Sequence, residues 1–174
     1  MISTGGRRGR LGAETPPVDV WKGLATGLVA GLVAAWVMGH FHQQASRAPG
    51  MPTPPAGAED STEKTAAAIS ERLFHHPLSP DEKRAAGPLV HYAFGASVGG
   101  IYGAAAEIAP AVTKGLGAQF GAAVWLGAHV IAVPALGLAA PITRSSASTE
   151  AVELAAHLVY GAVVETLRRA LRRR

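Results

Sequence analysis

The 174-residue chain contains no cysteine and few aromatic or charged residues. Without cysteine it cannot form disulfide bonds, thiolate nucleophiles, cysteine zinc sites or cysteine-ligated iron–sulfur clusters. Aromatic residues make up 6% and charged residues 16% of the chain, whereas soluble domains carry about a quarter charged residues. So few charges and large side chains supply neither the surface nor the core of a soluble globular protein.

Alanine and glycine make up nearly a third of the chain, and its apolar residues are gathered into four blocks. Because about 20 helical residues span a hydrocarbon core of about 30 Å, the blocks predict an all-α integral membrane protein with four transmembrane helices. The last block contains Glu153, His157 and Glu165 and could instead lie on the membrane surface, but its polar residues fall on a single stripe, which favours a span. The predicted spans are 20–41, 88–109, 115–139 and 150–170.

The polar segment 1–19 contains the pair Arg7–Arg8 and is interpreted as a basic cytoplasmic tail. A basic segment followed by an apolar one is also how a secretory signal begins. The apolar block 20–41 is too long for a signal, starts too far from the arginine pair and lacks a good cleavage site, which favours an uncleaved helix.

Residues 42–86 form the one long hydrophilic stretch, which is close to electrically neutral. It opens with a proline-rich run that cannot be helical, and Asp60 with Glu63 predicts a cap for a short helix over 61–75. The remaining basic residues are concentrated beside the apolar blocks at the two ends of the chain. By the positive-inside rule both termini lie in the cytoplasm and 42–86 lies outside, so the pI near 9.9 requires no nucleic-acid partner.

Small residues recur at every fourth position in the predicted helices. Because four residues turn a helix by about 400°, such a stripe stays on one side and lets two helix backbones approach closely in lipid. The packing partner could be another helix of this chain, a second copy or another membrane protein. The predicted packing glycines are Gly23, Gly27, Gly31, Gly95, Gly99, Gly103, Gly117, Gly121 and Gly161.

Ionisable residues share these stripes and should therefore point into the bundle, since a charge at a helix centre costs about 2.5–3.5 kcal/mol on insertion. They predict a polar seam, with histidines in its outer half and carboxylates in its inner half. Histidine titrates near neutral pH and suits a proton or ion response, but such residues also simply hydrogen-bond neighbouring helices. Glu165 can pair with Arg168 at the interface, and Glu107 lies beside Lys114. The seam candidates are His91, Glu107, His129, Glu153, His157, Glu165 and Arg168.

No catalytic motif is present, and the sequence predicts neither a metal site nor a cofactor. The glycine-rich runs GASVGG and GLGAQFG lack both the Lys-Ser/Thr ending and the preceding strand of a phosphate-binding loop. HExxH, GxSxG and EF-hand patterns do not occur either.

The segments EIAP, GAQFGAAVWLGAHVIAVPALGLAAP and ELAAHLVYGAVVETLRRALR resemble the YagU family of bacterial inner-membrane proteins. The resemblance covers about 91 to 174, while the first helix matches only as a glycine-rich span and the proline-rich loop departs from the pattern. It implies a small multi-pass protein of the bacterial cytoplasmic membrane, and it implies no defined biochemical activity. Matching positions are occupied by His91, Tyr102, Glu107, Trp125, His129, Pro134, Glu153, His157, Glu165, Arg168 and Arg169.

Three functions are compatible with this sequence. The first is a non-enzymatic membrane protein, alone or as a homo-oligomer, whose histidines respond to protons or a small ion. The second is an assembly protein that packs partner helices through its glycine stripes. The third is a lipid-modifying enzyme with His129 or His157 as general base. All three share the lipid bilayer as a partner.

Overall fold

The structure, a computed structural model, describes residues 18–53 and 57–173; nearly all of the predicted tail 1–19 lies outside them. Within this part of the chain the secondary structure is entirely helical, which confirms the all-α prediction. A short π-helix covers Trp125–Ala132, and 3₁₀ turns cover Pro110–Gly117 and Ile142–Arg144. The α-helices are α1 (Val20–Ala45), α2 (Ser61–Phe74), α3 (Pro80–Ile108), α4 (Ala118–Val124), α5 (Val133–Ala135) and α6 (Ala147–Arg172).

Helices α1 and α3 pack antiparallel with their backbones almost in contact. An added Cβ at Gly27 would lie 3.0 Å from the Cα atoms of both Gly100 and Gly103, and one at Gly31 would lie 3.0 Å from the Cα of Gly99. Such contacts are possible only between residues without side chains, which is why the glycines recur at each turn.

A second pair of helices, α4 and α6, is built in the same way. Gly121 approaches the backbone of His157, and Gly161 approaches the backbone of Gly117 and Gly121. Helix α6 also packs against α1, so the two close pairs form one bundle. The predicted packing glycines therefore lie between helices of this chain, and their faces are covered rather than open to partner helices.

Helix α3 begins eight residues before the predicted span 88–109 and passes through Pro88. Ser79 starts it by accepting a hydrogen bond from the Glu82 backbone, while the Glu82 carboxylate accepts one from the Ser79 backbone. Hydrogen bonds from the Ser79 backbone and hydroxyl lower the pKa of the Glu82 carboxyl. Since α1 also continues to Ala45, the predicted 42–86 loop is shortened to 46–79, with α2 packed against α3.

The predicted span 115–139 is not one regular helix. The backbone of Gly115, Leu116 and Gly117 is left-handed, so regular helix starts only at Ala118, and α5 ends at Ala135. The π-helix in between precedes Pro134, whose ring crowds the carbonyl one turn earlier and favours a wider turn. The last helix starts three residues before the predicted 150, because the Ser146 side chain caps it at Thr149.

Two helical stretches of the described chain are long and apolar enough to cross a membrane. They are Val20–Ala45, with a mean hydropathy of 1.7, and Pro110–Ala135, with a mean hydropathy of 1.5. Helices α3 and α6 do not reach that measure, so length and composition support two of the four predicted spans.

Candidate functional site

Two groups of ionisable side chains lie at opposite ends of the bundle. Helix α1 ends and helix α6 begins at the first group. The start of α1 and the end of α6 lie at the second group. The histidine cluster comprises His42, His91, His129, His157, Glu150 and Glu153. The arginine cluster comprises Tyr102, Glu107, Glu165, Arg168, Arg169 and Arg172.

Two histidine–carboxylate pairs connect helices in the histidine cluster. His42 Nε2 of α1 lies 2.7 Å from Glu153 Oε1 of α6, a hydrogen bond between residues 111 positions apart. His129 Nε2 of the π-helix lies 3.1 Å from Glu150 Oε2, also of α6. Protonation of either imidazole would place a positive charge opposite the carboxylate and turn the hydrogen bond into a stronger ion pair.

The other two histidines hydrogen-bond backbone carbonyls. His157 Nδ1 lies 2.7 Å from the Glu153 oxygen one turn earlier, and His91 Nε2 lies 3.0 Å from the Ala35 oxygen across the α1–α3 contact. The His157 ring is buried and its centroid lies 6.0 Å from that of His129. Each of these two histidines therefore uses one ring nitrogen for a backbone carbonyl, and its other nitrogen has no protein hydrogen bond in the part of the chain that the structure describes.

The π-helix positions the aromatic partner of His129. The indole of Trp125 stacks on the His129 ring with centroids 6.4 Å apart and planes 20° from parallel. Its Nε1 is buried and is the one such side-chain atom without a hydrogen-bond partner in the described residues. Because π-turns occur often at functional sites, this segment belongs to the candidate site.

The arginine cluster is centred on a fully buried carboxylate. Glu165 is 1% exposed; its Oε2 accepts hydrogen bonds of 2.9 Å from both the Tyr102 hydroxyl and Arg168 Nε. Arg169 also contacts Glu165, and its guanidinium donates to the Thr113 carbonyl at 3.2 Å. The carboxylate thus joins α3 and α6 to the turn before α4.

Glu107 completes this end of the bundle with a bidentate ion pair to Arg172, at 2.8 and 3.0 Å. Its Oε2 also accepts the Asp19 backbone N–H at 3.3 Å, which brings the start of α1 to the same place. The sequence suggests Lys114 as a neighbour of Glu107, but the ion-pair partner in the structure is Arg172 on α6.

An aromatic layer lies between the two clusters, at the boundary between the predicted histidine half of the seam and its predicted carboxylate half. Tyr102 and Phe120 stack with centroids 4.1 Å apart, and Phe120 lies 5.8 Å from Tyr160. His91, His129, Glu153 and His157 lie on one side of this layer, while Glu107, Glu165 and Arg168 lie on the other.

Sequence reasoning missed several members of the two clusters. Glu150 precedes Glu153 by three residues and His157 by seven, a spacing that places all three on one helical face and could have revealed it. His42 lies one residue beyond the first predicted span, 20–41, and is not among the seam candidates. Its pairing with Glu153, like that of Arg172 with Glu107, has no local signal in the sequence.

No group of three or more histidine, aspartate or glutamate residues in the described chain could hold a metal ion.

The family model described as "Protein of unknown function (DUF1440)" matches residues 47–166, more than half of the chain. The chain belongs to the DUF1440 family. The DUF1440 match contains His91, His129 and His157 and leaves out α1 with His42, as well as Arg168, Arg169 and Arg172. No curated protein and no solved structure matches the chain.

Proposed function

We propose that this DUF1440 protein is a four-span membrane protein. The support is its distribution of side chains, which is the reverse of that in a soluble domain. Glu165 and Val164 are its largest fully buried residues, whereas Trp36, Ile101 and Leu126 are each at least half exposed. A glycine–alanine interior with a satisfied ionic network and an exterior of large apolar residues suits lipid as the surrounding solvent.

The arrangement of the two ends supports the bacterial cytoplasmic membrane, with both termini in the cytoplasm. The helix ends that carry Arg168, Arg169 and Arg172 lie together with the start of α1, and arginine is retained on the cytoplasmic side. The resemblance to YagU points to the same membrane. In this orientation the histidine cluster and α2 face the outside.

This placement predicts that the protein stays in the membrane pellet after an alkaline carbonate wash, because four spans cannot be extracted without detergent. At Arg174 we expect a fused reporter that works only in the cytoplasm to be active. At Gly57 we expect an inserted reporter that works only outside the cytoplasm to be active. Release into the carbonate supernatant would contradict the membrane placement, and an exported reporter after Arg174 would contradict the orientation.

The function that the geometry supports best is a response to protons on the outer side of the membrane. The observation that carries it is the gathering of four histidines from α1, α3, the π-helix and α6 at one end of the bundle, where His42 and His129 each contact a carboxylate. Histidine is the side chain that changes charge near neutral pH. The charged neighbours of His42 are Glu153 and, farther away, Asp60. His129 lies beside Glu150 and His157. His157 also has His91 and the Glu153 carboxylate as neighbours.

A fall in pH should tighten the outer end of the bundle. A protonated His42 would bind the Glu153 carboxylate more strongly and hold α1 to α6, and a protonated His129 would do the same for the π-helix through Glu150. A second or third positive charge among neighbouring imidazoles is repelled, so we expect the cluster to take up its protons stepwise. The π-helix is the segment most able to shift in response, since it is irregular and ends in a short α-turn.

Trp125 offers a direct optical test of this function. A protonated imidazole quenches a stacked indole, so acidification through the histidine range should lower Trp125 fluorescence. Trp21 and Trp36 must first be replaced by phenylalanine, because the Trp36 ring also contacts a histidine, with its centroid 4.3 Å from that of His40. The titration should disappear in His129→Gln and persist in the control His40→Gln. A titration unchanged by His129→Gln would contradict the proposed response.

A further inference from the structure

A small cavity lies in the middle of the bundle, between the histidine cluster and the aromatic layer. Its volume is about 60 Å³, and residues of α1, α3, α4 and α6 line it. One water molecule needs about 10–15 Å³ of cavity volume, so this cavity has room for a few water molecules. Its lining includes His91, Phe94, Val124, His157 and Tyr160.

The polar groups of this cavity can bind water. His91 and His157 each use one ring nitrogen for a backbone carbonyl, and the second nitrogen has no protein hydrogen bond within residues 18–53 and 57–173. The Tyr160 hydroxyl donates to the Gly95 carbonyl at 2.6 Å and keeps its own acceptor capacity. Buried water requires two to four polar partners, and these three groups supply them.

The inner side of the cavity is closed by tightly packed side chains. Tyr160 is 3% exposed, Tyr102 is 4% exposed and Val164 is fully buried, and all three pack in one apolar cluster with Phe120 at its edge. The two tyrosine hydroxyls donate in different directions, one to Gly95 and the other to Glu165. No chain of hydrogen bonds therefore joins the cavity to the arginine cluster through these two tyrosines.

We propose that this cavity is a blind water pocket that opens only toward the histidine end. It brings water to His91 and His157 from the outer side and ends at the aromatic layer. The sides of the bundle face hydrocarbon, which supplies no water, so the entrance lies at the histidine end. The inference rests on the proposed orientation and sharpens the proposed function: protons enter and leave by the same route, so the protein detects acidity without conducting protons.

Cysteine accessibility tests the pocket, and the natural absence of cysteine makes every introduced thiol a unique reporter. Val124→Cys places a thiol on the pocket wall, and Val164→Cys places one at a fully buried position in the apolar cluster that contains the two tyrosines of the layer. Ag⁺, a small thiol-reactive cation, is added to right-side-out or inside-out vesicles; thiols that remain are then counted with a maleimide after unfolding.

We expect Ag⁺ to protect the Val124→Cys thiol from the maleimide in right-side-out vesicles only. The Val164→Cys thiol should be protected in neither kind of vesicle. Protection of Val124→Cys from both sides, from the inner side alone or from neither side would overturn the blind pocket. The proposed function is judged separately by the Trp125 titration. A pocket that opens outward in a protein without that titration would leave the inference standing and remove the sensing role.

Removing the phenyl ring of the aromatic layer should open the pocket to the inner side. In the Val124→Cys background, Phe120→Ala is expected to add protection in inside-out vesicles and to raise proton flux into vesicles loaded with a pH dye. Phe94→Ala is the matched control, because Phe94 lines the pocket but is half exposed and lies outside the layer. Proton flux through the unmodified protein would overturn the inference, as would equal inner access in both phenylalanine variants.

Discussion

Gly27→Ala is expected to disrupt the contact between α1 and α3. The added methyl group would overlap the Gly99 carbonyl oxygen and lie 3.0 Å from two further Cα atoms. Those atoms belong to the backbone of α3, so no side chain can move aside, and the two helices must separate. We expect a loss of about 3 kcal/mol, the upper end of the cost of overpacking, measured as the free energy of unfolding in mild detergent.

Gly39→Ala is the matched control on the same helix. The nearest atom to its added Cβ is His91 Nε2, at 3.9 Å, which is ordinary contact. Within a helix alanine is more stable than glycine by about 0.5–1 kcal/mol, so this variant should be as stable as the parent or slightly more stable. Equal losses in Gly27→Ala and Gly39→Ala would contradict the close α1–α3 contact.

Glu165→Ala is expected to be the most damaging single change in the ionic networks. It leaves the buried Arg168 guanidinium and the Tyr102 hydroxyl without their acceptor and frees Arg169 from the same carboxylate. Breaking a buried ion pair by removal of one partner costs about 3–5 kcal/mol. Thermal unfolding in detergent should show this as a much lower midpoint, together with release of the turn that Arg169 holds through Thr113.

A control for Glu165 is provided by Glu71→Ala on the exposed face of α2. Glu71 forms no ion pair in the described chain, and exposed charges contribute about 0–1 kcal/mol even when paired. Glu165→Gln should fall between the two, because it keeps an acceptor for Tyr102 and loses the charge that compensates Arg168. A Glu165→Ala loss no larger than that of Glu71→Ala would show that the carboxylate is solvated rather than buried.

The helix contacts were largely predictable because the sequence repeats them. A glycine at every fourth residue cannot be explained by helix propensity, which glycine lowers, so it indicates close packing. Which helix lies opposite is not encoded locally. In the structure Gly27 packs against the backbone of α3 and Gly121 packs against the backbone of α6, so both contacts lie within the same chain.

The irregular parts were not predictable from periodicity. The predicted span 88–109 follows the limits of the apolar block, but the Ser79 capping box begins α3 earlier and the helix continues through Pro88. The π-helix has no sequence signature beyond the following Pro134. Each of these features depends on one competing local interaction rather than on a repeated pattern.

The candidate site was predictable as a set of residues and not as a geometry. The stripe rule selected His91, His129 and His157, whose positions on three different helical segments do converge. Their division from Glu107 and Glu165 by an aromatic layer depends on how the tyrosines and Phe120 meet across helices. One sequence contains no information on such long-range contacts.

The most direct test of the central claim is Trp125 fluorescence in sealed vesicles with a defined orientation. The protein carries Trp21→Phe and Trp36→Phe, and the pH is changed on one side while the other is buffered. We predict that acidifying the side facing the histidine cluster lowers the fluorescence, and that acidifying the side facing the arginine cluster leaves it unchanged. A response to the arginine side, or to neither, would contradict an outward-facing proton-binding site.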